Sequence, residues 1–107
     1  MNNQKEKDEQ QHEKERKEQD FDIILILGTY EKLFKRYVDK IHPDIIQSKQ
    51  LQMMLEYQIK DFNDNDRYLS WTDLYEKTFP NYEEPEIFRQ LDKKNDEYIE
   101  KQSAELL

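Results

Sequence analysis

The sequence contains no cysteine, a single glycine, three prolines and two histidines in 107 residues. Without cysteine there is no disulfide-stapled secreted scaffold, no thiolate metal site and no thiol nucleophile. Gly28 alone cannot build a phosphate-cradling loop, because a Walker loop or a dinucleotide fingerprint needs several glycines at fixed spacing. The longest apolar run is Ile23-Ile24-Leu25-Ile26-Leu27, far short of the roughly 20 residues that cross a bilayer. No membrane span is expected. The opening residues Met1-Asn2-Asn3-Gln4-Lys5-Glu6 mix acid with base and have no apolar centre, which matches neither a signal peptide nor a transit peptide. The expected location is therefore intracellular, in the cytoplasm. Basic residues are also in deficit: 17 Lys+Arg stand against 25 Asp+Glu, a formal charge of -8. Phosphate contacts need clustered Lys and Arg, so a direct nucleic-acid role is disfavoured.

What the chain does have is unevenly placed. Every hydrophobic residue except Met1 lies from Phe21 onward, so one modest helical domain over 21–107 is expected behind a charged, polar extension over 1–20. Glu13 with Lys17 and Lys14 with Glu18 have i,i+4 spacing, so the extension is either a solvated helix or disordered. From Asp20 the positions Ile23, Leu27, Tyr30, Phe34, Tyr37 and Ile41 recur every three or four residues, as on one helix face. Gly28 leaves a kink or break at Gly28-Thr29 open, and Pro43 ends the element. A second helix is expected from about Ser48, its N-cap, to Phe62, followed by the turn cluster Asn63-Asp64-Asn65-Asp66. Ser70-Trp71-Thr72-Asp73 has capping-box form and predicts a helix over about 70–79, stopped by Pro80. A last helix over about 84–106 starts with Pro85 among Glu83, Glu84 and Glu86, which suits its positive dipole end. No strand signal is found. The fold class is all-α: a helical hairpin over about 30–62 with two further C-terminal helices.

The segment Leu33-Phe34-Lys35-Arg36-Tyr37-Val38-Asp39-Lys40-Ile41-His42-Pro43-Asp44 carries the sharpest signal. It reads as an amphipathic helix showing Lys35, Arg36 and Lys40 outward and ending in a proline turn, where cations favour the helix dipole. Residues 31–40 are net positive in an otherwise acidic chain. The segment resembles the second helix and loop of the J domain: an aromatic at Phe34, bases at Lys35, Arg36 and Lys40, apolar Tyr37 and Val38, then His42-Pro43-Asp44. Ile26-Leu27-Gly28 is similar to the end of that family's first helix, and Leu51 to Phe62 can stand for its third. The resemblance covers about residues 21–69. It differs in a short stretch between Gly28 and Phe34, in Asp39 on the basic face, and in Ile45 and Ile46 after the motif. It implies an antiparallel hairpin that docks on the ATPase of a heat-shock chaperone, with His42, Pro43, Asp44, Lys35, Arg36 and Lys40 as the partner-binding residues.

Other chemistry is thinly supported. Asp61-Phe62-Asn63-Asp64-Asn65-Asp66 starts like a calcium loop, but Asp66 replaces the glycine at position 6 and Thr72 the glutamate at position 12. Only His12 and His42 are available as imidazole ligands, and no His-Glu-x-x-His pair occurs. The expectation is a non-enzyme with no catalytic residue, no metal, no cofactor and no small-molecule substrate. Its partner is a protein, either a chaperone ATPase or a larger host assembly. Two alternatives are a structural subunit and an acidic decoy for a basic partner, the latter using Glu83, Glu84, Glu86, Asp92, Asp96, Glu97 and Glu100. The aromatics Trp71, Tyr75, Phe79, Tyr82 and Phe88 around Pro80 read first as core and second as an exposed anchor.

Overall fold

Helix boundaries follow the turn chemistry of the chain, with two exceptions that tertiary contacts create. A computed structural model describes residues 18–106, and the expectation for the extension falls outside it for residues 1–17. Helix α1 covers 18–27, α2 Glu31–Tyr37, α3 Lys49–Asn65, α4 Trp71–Thr78 and α5 Pro85–Leu106. Short 3-10 turns lie at Val38–Lys40, Pro43–Ile45 and Pro80–Tyr82. The fold is all-α, with no strand among the described residues.

The break at Gly28-Thr29 is real, and it resets the phase of the apolar face. In α1 the buried side chains are Phe21, Ile24, Leu25 and Leu27, while Ile26 is exposed. In α2 and its 3-10 extension they are Phe34 and Val38, while Tyr30 and Tyr37 face solvent. The single stripe through Ile23, Leu27, Tyr30 and Tyr37 is thus two stripes on two helices. The last carbonyls of a helix lack intrahelical donors, and here other elements supply them. Leu27 O accepts from Gln58 Nε2 at 3.0 Å and Tyr68 Oη at 2.7 Å; Gly28 O accepts from Trp71 N at 2.9 Å. A Cβ on residue 28 would sit 2.5 Å from Trp71 Cβ, so only glycine lets α4 begin there.

Helix α3 also departs from expectation at both ends. Ser48 occupies the N-cap position but its side chain does not cap. The helix runs three residues past Phe62 and stops at Asp66, which is left-handed (φ 52°) and donates its N–H to Phe62 O at 2.9 Å. The cluster from Asn63 to Asn65 is therefore helix rather than turn. Asp61, one turn before the helix end, accepts from Arg67 Nε at 2.8 Å and Asn65 Nδ2 at 2.9 Å, so the calcium-like segment is an ion-paired helix end. Helix α4 starts as expected, with Ser70 Oγ accepting from Asp73 N at 3.4 Å.

The core lies between α1, α3 and α4, with α2 and the start of α5 closing it. Ile24, Phe34, Met54, Leu55, Leu74 and Leu91 are completely buried, each worth about 1.5–3 kcal/mol of transfer free energy. Phe34 meets Phe62 edge-on at 5.4 Å, which sets the middle of α2 against the last turns of α3. Tyr75 packs on Phe88 at 5.0 Å and Trp71 on Phe88 at 5.7 Å. Trp71, Tyr75 and Phe79 are thus core residues, and Tyr82 stays exposed.

Candidate functional site

The chain between α2 and α3 cannot continue as helix because Pro43 excludes helical geometry for the residue before it. Ile41 (φ -89°, ψ 122°) and His42 (φ -107°, ψ 132°) are accordingly extended. After Pro43 the backbone closes into one tight turn: Ile45 N donates to His42 O and Ile46 N to Pro43 O, both at 3.1 Å. The α-helix that was expected to reach Ile41 stops at Tyr37, and its last turn tightens to 3-10 through Lys40.

This turn is held from beneath. Ile46 is 2% exposed and inserts into the core, fixing the chain two residues after Asp44. Ile41 packs partly against the same core from the other side. Between these anchors His42 and Asp44 are exposed, Pro43 is half-buried and Ile45 is 48% exposed. The corner therefore presents an imidazole, a carboxylate and an aliphatic side chain together.

A second clamp comes from a residue the sequence reading assigns to the polar extension. Asp20 is 1% exposed. Its carboxylate accepts from Gln47 N at 3.1 Å and from Ser48 N at 2.8 Å, at the entry to α3. It fills the capping role that Ser48 does not, and its charge suits the positive end of α3. No local pattern could single out Asp20 among the seven acids of residues 1–20, because its partners lie 27 and 28 residues away.

The basic residues sit on the chain leading into the corner. Phe34 and Val38 fix the inner side of this segment, so Lys35, Arg36 and Lys40 lie outside, and all three are exposed. Lys35 Nζ lies 3.7 Å from Glu31; both side chains are about half exposed, so the pair contributes at most a few tenths of a kcal/mol. Asp39, also exposed, interrupts the positive surface. The six residues all fall within 35–44, and all but Pro43 are open to solvent. Elsewhere, Glu83, Glu86, Asp92, Asp96, Glu97 and Glu100 are exposed and Glu84 is half-buried. No described helix is long and apolar enough to cross a membrane. No protein family, curated protein or solved structure matches the chain.

Proposed function

We propose that this protein is a non-enzymatic interaction module of J-like type, which docks the His42-Pro43-Asp44 corner on the ATPase of a chaperone. One observation carries the reading. His42 and Asp44 are exposed on a turn that Ile46 and the Asp20 carboxylate hold from the core side. A side chain held on a rigid turn loses little entropy when it binds, so such a corner is a good recognition element. Lys35, Arg36 and Lys40 supply attraction to an acidic groove and raise the rate of encounter.

The test is a steady-state ATPase assay with a heat-shock chaperone, using the intact chain and its Asp44→Asn variant. The intact chain is expected to stimulate hydrolysis and the variant to lose at least about tenfold of that effect, some 1.4 kcal/mol, with unchanged helicity. Equal stimulation by both, or none by either, removes the co-chaperone reading.

A further inference from the structure

Helix α5 outruns the body it packs on. Leu91 is its only buried residue, and every residue from Asp96 to Leu106 is exposed. This overhang is not uniformly polar: Tyr98 is 45%, Ile99 51% and Leu106 87% exposed. Opposite it, at the end of α1 and just after, Ile26 is 44% and Tyr30 40% exposed. These surfaces enclose a groove of about 290 Å³ walled by Leu25, Ile26 and Tyr30 on one side and Asn95 and Tyr98 on the other.

Polar contacts join the two walls of the groove. Tyr30 Oη and Tyr98 Oη meet at 2.7 Å across it, and Lys94 Nζ lies 3.1 Å from Asp22 Oδ1 at its wall. Beyond the groove Ile99 and Leu106 lie seven residues apart on one helix face with the polar Gln102 between them, so apolar side chains recur along the overhang.

Charge selects the occupant. Residues 96–106 carry four carboxylates, Asp96, Glu97, Glu100 and Glu105, against Lys101 alone. A second copy of this chain seated on the same face would bring an identical surplus of negative charge to it, which opposes association. A helix with an apolar stripe and flanking lysines or arginines meets both the strip and its rim, in the helix-in-groove mode of recognition. We propose that the groove between Ile26, Tyr30 and Tyr98, together with the strip through Ile99 and Leu106, receives a basic amphipathic helix of a partner protein. The surface is separate from the His42-Pro43-Asp44 corner and opposite to it in charge preference, so the protein can join an acidic partner to a basic one.

The test uses the full chain and three synthetic peptides of about five helical turns. One has leucines along a single face and lysines elsewhere; the second is the same composition scrambled; the third carries glutamate in place of lysine. Binding is read by fluorescence anisotropy and by amide chemical shifts. The amphipathic lysine peptide is expected to bind at least about tenfold more tightly than either control, to weaken as salt is raised, and to shift Ile26, Tyr30 and residues 95–106. Ile99→Ser, at a half-exposed position, should weaken it about tenfold with helicity intact, whereas Asp44→Asn should not change it. The proposal is overturned if the scrambled or glutamate peptide binds equally well, or if the shifts map elsewhere. It also fails if the chain sediments as a dimer that Ile99→Ser dissociates.

Discussion

Asp61 shows how one side chain ties local chemistry to acid stability. It receives hydrogen bonds from Arg67 Nε at 2.8 Å, Arg67 Nη2 at 2.9 Å and Asn65 Nδ2 at 2.9 Å. The hydrogen bond from Arg67 is the largest influence and holds its carboxyl below the ordinary aspartate value of 3.8, against the opposing effect of burial. Because the folded-state value is depressed, the folded chain favours the ionised form. This stabilisation is complete above pH 3.8 and is lost as pH falls through the lower folded-state value. Thermal unfolding followed from neutral pH to pH 2 should therefore show stability falling at the acid end, and Asp61→Asn should lessen that fall. An unchanged fall in the variant would place the acid sensitivity at other carboxylates. Arg67 lies two residues beyond the helix, and nothing in its local sequence distinguishes it from a solvated arginine. The Asp61–Arg67 pair therefore has no signal in the local sequence.

At the scale of elements, the decisive contacts join segments far apart in the chain. Asp20 ties α1 to the entry of α3, while Gln58 and Tyr68 tie α3 and the link after it to the end of α1. Together they set α1 alongside α3 with the same sense, and this fixes the frame on which the proline corner stands. Asp20→Ala would strand two N–H groups at the α3 entry, at a cost of about 2–3 kcal/mol. Asp20→Asn keeps an acceptor oxygen and should recover part of that loss. Chemical denaturation of the two variants checks this; equal stability of Ala and wild type would show that water serves the α3 entry just as well. Local signals did foretell the helix starts at Trp71 and Pro85, because capping and proline geometry act over a few residues, whereas α2 stops at Tyr37, well before Pro43. They did not foretell the α3 cap, which is made by a residue of another helix.

For the whole molecule, charge and packing divide along the chain. Residues 63–107 hold twelve acids and six bases, whereas residues 21–62 hold six of each. The acidic part ends in the α5 overhang, which contributes no buried residue to the core after Leu91. Removing residues 96–107 should therefore shift stability by no more than about 1 kcal/mol, the scale of surface changes, while abolishing the groove. A thermal melt of the shortened chain checks the first part; a loss of several kcal/mol would mean that the Tyr30–Tyr98 contact supports the fold. The sequence by itself determined the helical class, the stop before Pro80, and the basic run before His42-Pro43-Asp44. These depend on periodicity, ring geometry and charge within a few residues. Only the tertiary structure decided that Gly28 ends a helix against Trp71, that Asp20 belongs to the core, and that Tyr98 and Ile99 are exposed among the described residues. All three outcomes depend on which distant surfaces meet, and a linear pattern carries no information about distance in space.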